Sequence, residues 1–342
     1  MPSMSASLII APQWIGDAVM TEPLLRRLHQ RGERLTVAAL PWVAPIYRAM
    51  PQVAEIVELP FAHGGLQWRA RRQIAQQFKG RFETAYVLPN SLKSALVPLW
   101  ADIPRRVGYL GEARVGLLTH RLKNPPKGKR PPMVALYSAL SGDADIAQDR
   151  PRLHWPDEEM QATLAQQGLS AGGYGVFAPG AEYGPAKRWP AQHFAALAGL
   201  LDQPVLLLGS AKEQALCEEI LTLAPQARLI NLAGKTSLAQ AIGLIAAAQA
   251  MVSNDSGLMH VAAAFGVPQV AVFGSSSPEH TPPLSERARV LWLKHDPAYQ
   301  PPLDCAPCFE RECPLGHTRC LADLSPQRVH EALGQALAQA PR

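Results

Sequence analysis

The chain has 342 residues, too many for one ordinary core, so two domains of roughly 150 to 180 residues each are expected. With 47% hydrophobic and 18% charged residues the composition is that of a globular protein and excludes a disordered one. Its longest apolar runs, 204–208 and 267–273, are strand-sized, far below the ~20 residues of a membrane span.

Ser7 to Ala11 reads as the first strand, followed by a turn and one helix running to about Gln30. Gly16 and Asp17 thereby fall at a strand's C-terminal edge, where open parallel sheets place ligands. Strands are predicted at Leu35 to Ala39, Glu55 to Leu59 and Thr84 to Leu88, with helices at Trp42 to Met50, Gly65 to Phe78 and on to about Trp100. The segment Arg121 to Pro132, rich in proline and positive charge, reads as a loop, and Met133 to Leu140 as the helix closing the first domain. From Tyr174 the rhythm restarts, with strands at 175–178, 205–208, 229–231, 251–253, 269–273 and 290–293 and helices between them. The strands are apolar throughout instead of alternating, as a sheet covered on both faces requires. The fold class expected is therefore α/β, two Rossmann-like doubly wound domains facing across a cleft, divided as 1–150, 151–324 and a C-terminal helix at 325–342.

Charge is unevenly placed within the formal +5. Lys93, Arg105, Arg106, Arg114, Arg121, Lys123, Lys127, Lys129 and Arg130 crowd one part of the N-terminal half. Such a bias favours an acidic partner, whether nucleic acid, an anionic membrane surface or a phosphorylated glycolipid; a merely solvated basic face would look the same. The N-terminus has no basic segment ahead of an apolar signal core, so a cytoplasmic location is expected.

The central stretch is Ala250 to Ala264, where an apolar strand meets a polar turn and a helix of small residues. The first N–H groups of that helix, at Ser256, Gly257 and Leu258, have no internal partner and can receive a phosphate. Asp255 can cap the helix or accept from sugar hydroxyls, and His260 projects one turn along on the same side. An ordinary N-cap before a hydrophobic helix would show the same residues. Three further polar, glycine-bearing loops end strands of the same half. Pro179 to Pro190 brings Lys187 and Arg188, which can neutralise a pyrophosphate leaving group; 209–213 brings Glu213; and 234–238 brings Thr236. Neither G-x-G-x-x-G nor G-x-x-x-x-G-K-[ST] occurs, which disfavours a nicotinamide enzyme or a P-loop kinase.

Taken together, Gly16-Asp17, Gly180 to Pro190, Gly234 to Leu238 and Asn254 to His260 resemble the ADP-heptose:lipopolysaccharide heptosyltransferases, a GT-B family, over nearly the whole chain. The tail from Cys305 to Cys320 is similar to the heptosyltransferase II branch. The resemblance implies inverting transfer of L-glycero-D-manno-heptose from ADP-heptose to the first heptose of the lipopolysaccharide inner core. It implies no catalytic metal or cofactor, no nucleic acid partner, and peripheral work at the cytoplasmic face of the inner membrane. By the same resemblance Asp17 is the general base, Lys187 holds phosphate, Ser256, Gly257 and Leu258 form the diphosphate turn with Asp255 and His260 beside it, Thr236 lines the adenine pocket, and Glu213 meets the ribose. Another nucleotide-sugar transferase, or a non-catalytic nucleotide- or glycan-binding protein of the same fold, is the competing reading.

Cys305, Cys308, Cys313 and Cys320 form C-x2-C-x4-C-x6-C around His317. Such compact spacing can bind zinc or an iron–sulfur cluster, although it matches no standard zinc pattern, and reduced packing cysteines are the other reading. Cys217 reads as a core thiol.

Overall fold

Strands that are apolar along their whole length can be buried on both faces only if helices cover both, and each half of the chain does this separately. The computed structural model describes residues 5–61, 65–126, 130–146 and 149–339. The chain divides between His154 and Trp155 into two units.

The first unit runs β1 (Ala6–Ile10), α1 (Ile15–Met20), α2 (Glu22–Gln30), β2 (Arg34–Ala39), α3 (Ala44–Arg48), β3 (Val53–Glu58), α4 (Trp68–Phe78), β4 (Thr84–Val87), α5 (Leu92–Trp100), β5 (Arg105–Tyr109), β6 (His120–Leu122) and α6 (Met133–Ser138). Its sheet is parallel in the order β3-β2-β1-β4-β5-β6, with Ile9 opposite Val37 on one side and Tyr86 on the other. Leu8, Ile10, Ala85 and Val87 pack with Ile74, Phe78 and Val97 of the helices.

The second unit runs α7 (Asp157–Gln167), β7 (Gly175–Ala178), α8 (Ala191–Ala198), β8 (Val205–Leu207), α9 (Gln214–Leu223), β9 (Leu229–Asn231), α10 (Leu238–Ala246), β10 (Ala250–Asn254), α11 (Gly257–Ala264), β11 (Gln269–Val272), β12 (Ala288–Leu291), α12 (Arg319–Ala322) and α13 (Pro326–Ala338). The order β12-β11-β10-β7-β8-β9 repeats the topology of the first sheet. In each sheet the winding reverses beside the first strand, between β1 and β4 and between β7 and β10, and the loops leaving these strands form the crevice where doubly wound folds bind ligands. The helix α13 is part of this unit's core: Val329 and Leu333 pack with Phe194, Val270 and Val272.

Several expectations need correction. The helix read as continuous to Gln30 breaks at Thr21, because Pro23 has no N–H to continue the ladder and the Thr21 hydroxyl donates to Ala18 O at 2.6 Å. The strand β5 was hidden by Arg105 and Arg106, which open it, and β6 takes Arg121 and Leu122 out of the predicted loop. The helix α7 buries only Thr163 and Leu164, so it shows almost no apolar stripe, although Asp157, Glu158 and Glu159 in its first turn suit the helix dipole. The four-residue helix α12 was likewise absent from the sequence reading. Arg114 does not belong to a basic surface at all: it is fully buried and donates to Pro89 O at 2.7 Å, to Asn90 Oδ1 at 2.9 Å and to Tyr109 O. Lys127 and Lys129 lie outside the described residues.

Candidate active site

In the first unit the chain leaves β1 and enters α1 through Trp14, the N-cap residue, so Asp17 sits in the first turn without being the cap. Its carboxylate accepts a hydrogen bond from the Tyr137 hydroxyl, Oη to Oδ1 3.1 Å. Burial pushes Asp17 up from 3.8 to about 6, partly offset by that bond, while the residue keeps an edge open to solvent. A carboxylate of this kind is ionised at neutral pH yet a stronger base than an exposed aspartate, as proton abstraction requires. On the neighbouring strand β4, the loop at Pro89 and Asn90 is held from beneath by Arg114.

In the second unit the six loops that follow β7 to β12 are tied to one another. Asn254, the last residue of β10, donates through Nδ2 to Pro179 O at 2.6 Å and accepts through Oδ1 from Trp189 N–H at 2.9 Å. The loop carrying Lys187 and Arg188 is thereby pinned at both ends. Glu213 accepts from Ser210 N–H at 2.7 Å and from the Ser210 hydroxyl, completing a capping box. A Cβ on Gly180 would come within 2.7 Å of Glu213 Cδ, so only glycine lets these two loops close up. Gly234 N–H donates to Gly209 O at 2.9 Å and joins the loop that bears Thr236. On the other side, Phe309 N–H donates to Ser275 O at 2.7 Å, while Ala186 N–H donates to Arg311 O at 3.0 Å.

At the centre Lys187 Nζ lies 2.5 Å from Asp255 Oδ2, both side chains mostly buried. His260, 5% exposed, is driven down to about 4, first by burial and further by Lys187, with Asp255 acting the other way. It is a neutral imidazole at physiological pH and adds no positive charge. The cations are Lys187 and Arg188, whose guanidinium approaches Ala181 O at 3.4 Å and keeps a buried Nε without a partner. The Ser256 hydroxyl, at the N-cap of α11, is buried and unpartnered as well, next to the N–H groups of Gly257 and Leu258. An ammonium, a guanidinium and a helix N-terminus at one sheet edge suit a group with two phosphates.

Of the residues singled out from sequence, Lys187, Asp255, Ser256, Gly257, Leu258 and His260 are brought together directly, and Arg188 and Glu213 are tied to them through the pinned loops. Thr236 lies half-buried in the loop between β9 and α10, one residue before the N-cap Ser237. Asp17 stands in the other unit. The reading missed Tyr137, whose bond to Asp17 spans 120 positions, and the role of Asn254, which was visible in the motif as the polar residue ending an apolar strand. Of the five cysteines Cys217 is buried in the core. Cys313 is held low by N–H groups of residues 315–318 despite its burial, and burial and the other three thiols push Cys320 up to about 11. Among the described residues no group of three or more His, Cys, Asp or Glu is arranged to hold a metal ion.

Two doubly wound units, one with a buried carboxylate at its sheet edge and the other with cations beside a helix N-terminus, describe a glycosyltransferase of the GT-B type. Glycosyltransferase family 9 (heptosyltransferase) matches residues 71–319, and the chain belongs to this family. It is 44% identical to lipopolysaccharide heptosyltransferase 2 of Escherichia coli, over 97% of this chain and 98% of that one. It is 39% identical to lipooligosaccharide heptosyltransferase 2 of Haemophilus ducreyi, over 97% and 99%. The structure of the E. coli ADP-heptose LPS heptosyltransferase II superimposes with a TM-score of 0.82 at 40% identity, covering 97% of this chain and 98% of that one.

Proposed function

We propose that this glycosyltransferase moves L-glycero-D-manno-heptose from ADP-heptose to the first heptose of the lipopolysaccharide inner core, with inversion at the anomeric carbon. The observation that carries the donor side is the pair Lys187–Asp255 just ahead of α11, next to the buried Ser256 hydroxyl at its N-cap. Relatives that match along the whole chain and bear the name heptosyltransferase 2 support the choice of sugar and acceptor.

In this reading the unit from Met1 to His154 receives the acceptor and the unit from Trp155 onward holds the nucleotide sugar, with α13 as part of it. Asp17 takes the proton of the acceptor hydroxyl as its oxygen bonds to the anomeric carbon, and the bond from that carbon to the phosphate oxygen breaks with its electron pair leaving on ADP. Lys187, Arg188 and the N–H groups of Gly257 and Leu258 stabilise the charge that grows on the diphosphate. Glu213 and Thr236 hold the ribose and the adenine, while Asp255 orients Lys187 and His260 packs beneath as a neutral group. No helix among the described residues is long and apolar enough to cross a membrane, and the enzyme works peripherally at the cytoplasmic face of the inner membrane, where its basic first unit meets the anionic glycolipid.

The test is ADP release and product mass with heptose-bearing core glycolipid as acceptor and ADP-heptose, ADP-glucose or UDP-glucose as donor. Turnover confined to ADP-heptose is the expected result. Equal or faster turnover with another donor assigns a different sugar, and binding without any turnover makes the protein a nucleotide-binding module.

A further inference from the structure

The base of an inverting transfer must present one oxygen to the acceptor hydroxyl in one orientation, and a half-buried carboxylate on the first turn of a helix needs something to hold it there. In the first unit α1 packs against α2, α3 and α6. From α6 comes Tyr137, 6% exposed, whose hydroxyl donates to Asp17 Oδ1 at 3.1 Å. From α3 comes the fully buried Tyr47, whose hydroxyl lies 3.3 Å from Thr21 Oγ1 instead of on the carboxylate. From α2 comes Glu22, turned away to Arg26 at 3.1 Å and to Gln52 at 3.0 Å. The phenol of Tyr137 is the group whose hydrogen bond favours the ionised form of Asp17.

We propose that Tyr137 is the positioning residue of the catalytic base: its hydroxyl fixes the Asp17 carboxylate through Oδ1 and leaves Oδ2 to take the acceptor's proton. The proposal rests on the reading of Asp17 as the base. Tyr137 itself transfers nothing. Its proton stays on the phenol, because burial and the neighbouring carboxylate push its ionisation far above the working range, while the acceptor's proton passes to Oδ2 and from there to water after the sugar has moved. Without the phenol, burial acts unopposed on Asp17, which then holds its proton to higher pH and swings among rotamers.

Tyr137→Phe keeps the ring and removes only the hydroxyl. Its kcat at neutral pH is expected to fall about tenfold and the acid limb of the kcat–pH profile to move up by about one pH unit, while the KM for ADP-heptose and the affinity for ADP stay put. Replacement of Tyr137 by 3-fluorotyrosine, a stronger donor of nearly the same shape, moves the limb down. This second variant guards against a packing defect in the first, since a ring that merely fills space gives no displacement of opposite sign. Wild-type kcat and an unmoved acid limb in both variants overturn the proposal. Asp17→Asn is measured alongside: if it is inactive while both Tyr137 variants behave as wild type, positioning by Tyr137 fails and the base stands. Full turnover by Asp17→Asn removes the base and Tyr137 with it.

Discussion

At the scale of single residues, the charge of Asp17 is a cost to folding. Its folded value of about 6 lies above the ordinary 3.8, so the unfolded chain gives up the proton first as pH rises. The folded state is therefore penalised progressively between pH 4 and 6, and fully above that, by roughly 1.4 kcal/mol for each tenfold difference in proton affinity between the folded and unfolded carboxyl. Asp17→Asn removes this penalty together with the base. It is expected to lower turnover by ~10²-fold or more with ADP binding unchanged, and to raise the melting temperature relative to wild type at pH 8 but not at pH 4. Thermal scans at the two pH values and an ADP-release assay check both halves; a mutant as active as the parent would reduce Asp17 to a fold residue. Lys187, in contrast, has a partner of opposite charge, Asp255 at 2.5 Å. Lys187→Ala is expected to weaken ADP binding about tenfold and to slow transfer as well, since charge on the leaving diphosphate grows toward the transition state. Calorimetric titration with ADP decides it.

The donor edge is an arrangement of elements, in which β10 serves as the peg for the loop after β7. Both side-chain ends of Asn254 are spent on that loop, at 2.6 Å to Pro179 O and 2.9 Å from Trp189 N–H. Asn254→Ala leaves a buried carbonyl and a buried N–H without partners and should destabilise the second unit by ~1–3 kcal/mol. Gly180→Ala must push Glu213 out of its capping box and should lose ADP affinity with it. Denaturant melts and ADP titration measure the two effects; an Asn254→Ala protein with parental stability would mean the loop is held elsewhere. These elements were legible in the sequence wherever burial on both faces left a continuous apolar run, as in 175–178 or 205–208, and wherever a glycine-bearing turn followed it. They were illegible where the sheet edge lets charge in: β5 opens on Arg105 and Arg106, and α7 faces solvent along most of its length. The candidate residues of the second unit could be read because they cluster at strand ends in sequence. The bond from Tyr137 to Asp17 could not, since no local pattern announces a contact 120 residues away.

For the whole molecule, the two units divide the charge unequally. Residues 1–154 carry 21 Lys and Arg against 11 Asp and Glu, residues 155–342 carry 12 against 17, so the formal +5 conceals two halves of opposite sign. An anionic glycolipid meeting the first half should show a KM that rises several-fold between about 50 mM and 300 mM salt, with a much flatter dependence for ADP-heptose, whose proposed partners Lys187 and Asp255 are mostly buried. Steady-state kinetics across that range test it, and equal slopes for both substrates would place the acceptor's charge elsewhere. The second half is also built out of sequence order. The segment around Phe309 and Arg311 braces the loops of Ser275 and Lys187, and Val329 and Leu333 of α13 fill the core beneath β11. A ribosome making this chain therefore has the first unit complete once residue 154 has emerged, whereas the second must wait, core open, until residues near Ala338 leave the exit tunnel. Nascent chains stalled before that point should be folded at one end, unable to retain ADP at the other, and dependent on chaperones in between.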